Sequence, residues 1–302
     1  MPSSSAGACL QVQDAAAERQ RLAETFKPAD DHARTVGVVT ELQPPPHDDV
    51  GHGVPIVWSH GFMMDRTMFA DVVDRLPEMR HITWDQRGFG EHAIVGPFTF
   101  WDSADDVVRL LDRLGIERAI LAGWSQGGFV SLRSTLAAPD RVGGLLLIST
   151  SAAEQSAESA AVYRAMVERW LLDDGVADLA PVIADIIIGS KAAAAHWIPR
   201  WLKARPGMVA AVADCLLDRD SIESSLEAID IPAVVLHGTE DAAIPLHEGR
   251  DLAAALPNAE LIEVAGSPHG LPFTAPARIA DAARALQASI AQQPKRDRTH
   301  SL

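Results

Sequence analysis

Gly123-Trp124-Ser125-Gln126-Gly127-Gly128 sets one serine among small residues. A serine on a sharp, strained turn between a strand and a helix can present its hydroxyl to a carbonyl carbon, and crowding around such a turn demands glycine nearby. The five-residue pattern is short enough to arise by chance, and a glycine-rich turn with a capping serine is the structural alternative. Its place, directly after an apolar run and before a helical one, gives it weight. A serine hydroxyl is a poor nucleophile at neutral pH; it needs a base, and the base needs an orienting carboxylate. Among eleven histidines, His269 stands apart, in the loop Gly266-Ser267-Pro268-His269-Gly270 after the last apolar run. His60 and His237 each precede a glycine at the end of an apolar run, where a structural hydrogen-bonding role is expected. His32, His47, His52 and His300 lie in polar segments. Glu240 and Asp241 are adjacent carboxylate candidates in Gly238-Thr239-Glu240-Asp241-Ala242-Ala243-Ile244-Pro245. Asp241 could equally be a turn-stabilising residue. Acyl transfer is the chemistry such a set would perform.

The elements that must position these groups follow from the pattern. Short apolar runs at 54–58, 81–84, 118–122, 142–148, 233–236 and 260–264 are each bounded by turn residues, as strands buried on both faces of a parallel sheet would be. Thr35 to Thr40 is also strand-like, and Pro44-Pro45-Pro46-His47-Asp48-Asp49 is loop by composition. Between the runs the period turns helical. Val107, Leu110, Leu111 and Leu114 share a face behind a capping-box signal, Thr99 and Asp102. Phe129 to Ala138 follows the serine, and Ile279, Ala283, Leu286 and Ile290 follow Pro276. This alternation predicts a doubly wound α/β sheet with mostly parallel strands.

Residues 151–228 break the alternation, with helical patterns and no convincing strand. Tyr163, Met166, Val167, Trp170 and Leu171 form an apolar stripe, and Trp197 and Trp201 lie one helical turn apart. These side chains pack the insertion onto the core or line a pocket. The expected organisation is a peripheral extension at 1–34 with a short helix at 15–26, a core at 35–150 and 229–292, a helical insertion at 151–228 and a tail at 293–302.

Composition narrows the class. The 302 residues are 47% hydrophobic and 22% charged, which suits a soluble globular enzyme. A net charge of −15 opposes binding to a phosphate backbone, so nucleic acid is not an expected partner. Cys9 and Cys215 form no metal or redox motif. No apolar run reaches the ~20 residues of a membrane span, and residues 1–20 lack a secretory pattern, so a cytoplasmic location is expected.

With these residues in place, the chain resembles the α/β-hydrolase-fold family over roughly residues 35–292. Ser125, Asp241 and His269 stand in that family's order of nucleophile, acid and base. The resemblance selects Asp241 over Glu240, since Gly-x-x-Asp-x-x-Ile-Pro places the acid as the family's loop does. His60-Gly61-Phe62 resembles the oxyanion segment, which implies that the N–H groups of Phe62 and Gln126 hold the developing negative charge. Asp85-Gln86-Arg87-Gly88-Phe89-Gly90 resembles the family's Asp-x-Arg-Gly-x-Gly turn, with Asp85 and Arg87 tying the loop together; that turn often continues to a serine where this chain has His92. The helical insertion matches the family's cap. Serine at the nucleophile position separates the chain from haloalkane dehalogenases and epoxide hydrolases, which use Asp, and from dienelactone hydrolases, which use Cys. Ser-Pro-His-Gly-Leu at 267–271 is similar to cofactor-free haloperoxidases, but Met63 stands where those commonly have Pro, and Gln126 where they usually have Met.

The function implied is a serine hydrolase acting on a small carboxylic ester through an acyl-enzyme on Ser125, with no cofactor or metal required. Trp124, Trp170, Trp197 and Trp201 are the candidate pocket residues, with Ile187 beside them and few evident cationic anchors, so a neutral substrate is expected. The same triad could carry perhydrolysis, lactone opening or C–C cleavage. A small-ligand receptor on a hydrolase scaffold is the alternative from another class.

Overall fold

The computed structural model describes residues 44–93, 97–172, 175–204 and 206–292. The expected extension with its helix at 15–26, the expected strand at 35–40, the tail, Cys9, His32 and His300 lie outside the described residues.

Seven strands form one sheet: β1 (His47–Gly51), β2 (Pro55–Ser59), β3 (Arg80–Trp84), β4 (Ala119–Trp124), β5 (Val142–Ile148), β6 (Ala233–Gly238) and β7 (Ala259–Val264). Their order is β1-β3-β2-β4-β5-β6-β7. Six run parallel, and β1 pairs antiparallel with β3, His47 opposite Trp84. β1 corrects an expectation, because residues 47–49 belong to a strand and not to the loop their composition predicts. Four of its five residues are exposed, so no apolar alternation marks it. Arg80 on β3 donates to both carboxylate oxygens of Asp49, at 2.9 and 2.7 Å. A charged edge strand of this kind discourages pairing with another chain.

Side chains leave alternate faces of each strand and build two cores. Ile56, Trp58, Ile120, Ala122, Leu146, Ile148, Val234 and Leu236 meet on one face. Val57, Ile82, Trp84, Leu121, Leu145, Leu147 and Val235 meet on the other. Helices α1 (Phe100–Arg113) and α2 (Gln126–Ala137) cover the second face through Val107, Leu110, Leu111, Phe129 and Val130. The Thr99–Asp102 capping box starts α1.

Between β5 and β6 the chain forms α3 (Ala157–Trp170), α4 (Gly175–Ile187), α5 (Lys191–Trp201) and α6 (Pro206–Leu217). No strand occurs among the described residues of this insertion. Trp170, Trp197 and Trp201 join the first core. Helix α7 (Leu246–Ala255) precedes β7, and α8 (Pro276–Gln292) closes the first face with Ile279, Ala283 and Leu286. Among the described residues, no helix is long and apolar enough to cross a membrane.

Candidate active site

Ser125 sits between the end of β4 and the start of α2 with φ 52° and ψ −118°. A positive φ is rare for serine and must be held by its surroundings. Its N–H donates to the Ile148 carbonyl at 2.9 Å, and its carbonyl accepts from Gly128 N–H at 2.9 Å. Thr150 Oγ1 donates to the same carbonyl at 2.8 Å. The first turn of α2 lies so close to β2 that a Cβ on Gly127 would strike the Ser59 carbonyl. A Cβ on Gly123 would strike the Gly127 carbonyl in turn. The glycines flanking the serine are thus a steric condition of the turn.

Because β6 and β7 are parallel neighbours, their C-terminal ends bring the Asp241 and His269 loops to one edge of the sheet. His269 Nδ1 lies 2.8 Å from Asp241 Oδ2, and both side chains are buried. Asp241 Oδ1 accepts from the N–H groups of Ala243 and Ile244 at 2.9 and 2.8 Å. Burial raises the Asp241 carboxyl. The charge of His269, the hydrogen bonds from His237 and His269 and the Ile244 N–H outweigh that, and hold it well below the usual carboxylate range. An ionised carboxylate there accepts the Nδ1 proton of His269 and leaves Nε2 as the basic nitrogen.

His237 approaches the same carboxylate, with Nε2 at 3.3 Å from Asp241 Oδ2 and 2.8 Å from the Ile244 carbonyl. Its Nε2 proton therefore ties the loop to β6, while Nδ1 is buried with no hydrogen-bond partner among the described residues. Glu240, the competing carboxylate, is exposed.

Phe62 and Met63 cross the mouth of β2, and Met63 has φ 63°. The N–H groups of Phe62 and Gln126 have no acceptor among the described residues. A side-chain network lies behind them. Gln126 Nε2 donates to Gln86 Oε1 at 3.0 Å, the Gln86 amide donates to the His60 carbonyl, and Gln86 N–H donates to His60 Nε2 at 3.0 Å. With Nε2 accepting, His60 Nδ1 donates to the Gly61 carbonyl at 2.8 Å. Burial pushes the His60 imidazole down, so it stays a neutral strut. Asp85 ties its loop as expected, accepting from Arg66 N–H at 2.8 Å and Glu91 N–H at 2.9 Å. Arg87 departs from that expectation, because it turns to Asp106 of α1 at 2.5 Å.

Ser125 and His269 open into one cavity of about 110 Å³. Phe62, Met63 and Phe129 line its core side, and Tyr163, Met166, Val167, Trp170 and Ile187 line it from the insertion. No hydrogen bond joins Ser125 Oγ to His269 among the described residues; such bonds often tighten only when substrate is bound.

Three of the four candidate pocket tryptophans do not line this cavity. Trp124 lies beneath His269, its Nε1 donating to the His269 carbonyl at 2.9 Å with ring centroids 5.0 Å apart. Trp201 Nε1 donates to the Met63 carbonyl at 2.6 Å, propping the segment that carries Phe62. Trp197 packs edge-on against Phe273, with the Arg200 guanidinium over its ring. A buried indole N–H needs an acceptor, and for Trp124 and Trp201 that acceptor is a site carbonyl. Cationic anchors are few, as expected, but one is present: Arg219, just after α6, lines the cavity. No periodicity or motif marks Arg219 in the sequence.

The chain belongs to the α/β hydrolase fold family, whose model matches residues 54–276. It is a hydrolase. The AB hydrolase superfamily protein YisY of Bacillus subtilis is 28% identical over 74% of this chain and 87% of its own length. The pimeloyl-[acyl-carrier protein] methyl ester esterase of Aliivibrio salmonicida is 26% identical over 74% of this chain and 87% of its own. Among solved structures, a thermophilic esterase from Thermogutta terrifontis, with malate bound, superposes with TM-score 0.74 at 29% identity, over 81% of this chain and 93% of that one.

Proposed function

We propose that the protein hydrolyses a carboxylic ester by two-step acyl transfer through Ser125. The observation that carries this reading is a single arrangement: a serine held at positive φ faces the same cavity as His269, whose Nδ1 is 2.8 Å from Asp241. His269 Nε2 takes the hydroxyl proton as Ser125 Oγ attacks the ester carbonyl. Asp241 holds the imidazole tautomer and stabilises the imidazolium. The N–H groups of Phe62 and Gln126 receive the oxyanion, with one such donor worth roughly 3 kcal/mol. His269 returns the proton to the leaving alcohol, and a water then repeats the sequence to release the acid. The helices of residues 151–228 act as a cap, and the apolar residues they turn inward favour a substrate with a hydrocarbon body.

The test is a p-nitrophenyl ester series from acetate to decanoate on wild type and Ser125→Ala. The variant is expected to lose about 10⁴-fold or more in kcat while its thermal transition stays in place. Equal turnover by the variant overturns the proposal. A stoichiometric adduct without turnover would point to a receptor instead.

A further inference from the structure

The cavity contains a cation for which the proposed mechanism has no use. Arg219 is 8% exposed, yet every hydrogen-bond partner it has among the described residues is neutral. Its Nε donates to the Ala153 carbonyl at 3.0 Å, and Nη1 donates to Gln155 Oε1 at 2.7 Å and the Leu216 carbonyl at 2.9 Å. The guanidinium lies over the Phe129 ring, 4.5 Å from its centroid. Nη2 has no acceptor among the described residues. Arg133, more deeply buried still, differs: it donates to the Asp220 carboxylate at 2.8 Å. Glu248 and Glu154 act on Arg219 only through their field, and a buried cation with no carboxylate in contact is costly. Burial draws the Arg219 pKa down to about 10, with the field of Glu248 opposing, so the group stays cationic at neutral pH.

A second polar group in the cavity also lacks a partner. Tyr163 lines the cavity, and its hydroxyl has no hydrogen-bond partner among the described residues. Burial raises its pKa, so it remains a neutral O–H donor. Phe129, on which Arg219 stacks, is four residues after Ser125 on α2. Ser125 and Arg219 line the same cavity, so a substrate seated on the nucleophile shares its space with the guanidinium.

Resting on the ester-hydrolase reading, we propose that Arg219, with Tyr163 beside it, receives a free carboxylate on the substrate, making the preferred substrate a mono-anionic ester and not a neutral one. A carboxylate would supply a contacting counter-charge at Nη2 and accept from the Tyr163 hydroxyl. The protein's net charge of −15 does not attract anions in general, so the preference must come from this local pair.

The experiment compares kcat/KM for anionic esters and their neutral isosteres. One arm uses monomethyl esters of four- to eight-carbon dicarboxylic acids against methyl esters of monocarboxylic acids of equal length. The other uses carboxyphenyl acetates against tolyl acetates, which moves the carboxylate to the alcohol half. Wild type is expected to prefer the anionic member of one arm by at least tenfold. Arg219→Met should reduce that preference by about 10- to 100-fold, the range for a charge-assisted hydrogen bond, and Tyr163→Phe by a smaller factor. An anionic-to-neutral ratio near one in wild type, or a ratio unmoved in Arg219→Met, overturns the proposal. If Arg219→Met does not fold, wild type alone decides. The uncleavable monoamide of the best dicarboxylic acid should then inhibit at least tenfold better than its diamide, and equal inhibition overturns the anchor. If no ester turns over, hydrolysis fails separately from the anchor. Calorimetric binding of monoamide and diamide to Ser125→Ala then tests the anchor without catalysis: tighter monoamide binding supports it, and equal binding overturns it.

Discussion

The two walls of the cavity are built differently. On the core wall, Ser125, Phe62 and Gln126 are fixed by backbone. Strand ends set their positions, hydrogen bonds lock Ser125 on both sides, and a methyl group on Gly127 could not be accommodated. On the insertion wall, Tyr163, Met166, Val167, Trp170 and Ile187 project from helices seated on the core by side-chain packing and by the Trp201 indole N–H bond to the Met63 carbonyl. Backbone geometry gives the precision of placement that bond-making needs, whereas helix faces can change side chains without moving the chain. The comparison predicts that changes on the core wall act on kcat and changes on the insertion wall act on KM and selectivity.

The largest expected effect in that comparison is at Asp241. Asp241→Asn keeps the shape but loses the negative charge that orients His269 and stabilises its imidazolium. Its kcat is expected to fall by about 10²–10⁴-fold with KM nearly unchanged. Exposed Glu240, changed to Gln, should lose less than about threefold. Reversal of that order would show that Glu240 is the acid. The same carboxylate shapes acid stability. Its folded pKa is held below its unfolded value, so its stabilisation is fully present above the unfolded value of about 4 and is lost as pH falls through the folded one. A thermal-melting series should therefore show wild type losing stability below about pH 4 more steeply than Asp241→Asn.

The same contrast governs what could be read from the sequence. β5 is predicted at its observed bounds, Val142–Ile148, because a fully buried strand is an uninterrupted apolar run. Thr99 and Asp102 mark the start of α1 because a cap is a local interaction. The strand at His47–Gly51 is hidden because it lies at the sheet edge, four of its five residues are exposed, and Asp48 and Asp49 break any apolar alternation. Ser125, Asp241 and His269 are legible as types at turn positions, but only the sheet order brings 125, 241 and 269 to one edge. On the insertion wall, helical spacing shows which residues share a face and not what that face meets. Trp170 and Trp201 look alike in sequence, yet one lines the cavity and the other braces Met63. Arg219 follows the end of α6, beyond any pattern, and owes its place to the tertiary fold.

Gln126 sharpens the comparison at intermediate size. Its N–H is the proposed oxyanion donor, while its side chain donates to Gln86 Oε1 at 3.0 Å and its own Oε1 is buried without a partner among the described residues. Gln126→Leu keeps the backbone donor and removes the tie to the Gln86–His60 network. A neutral hydrogen bond is worth about 0.5–1.5 kcal/mol net, so kcat should fall by about 2- to 13-fold with little change in KM. A change confined to KM would mean that the network shapes the pocket, and the division between the walls would weaken.

Ile187 gives the smallest effect and tests the other wall. It lines the cavity from the last turn of α4 and is half-buried. Ile187→Val removes one methylene from that surface. A buried methylene is worth about 0.8 kcal/mol, or roughly fourfold in binding. The KM for esters whose acyl chain reaches this side chain should rise by about that factor, while acetate, too short to reach it, should be unaffected. Steady-state kinetics across the acyl series would show the rise beginning at one chain length, and that length measures the span from Ser125 to the insertion wall. A fall in kcat shared by every ester, acetate included, would mean that α4 positions the reacting groups and that the two walls act as one.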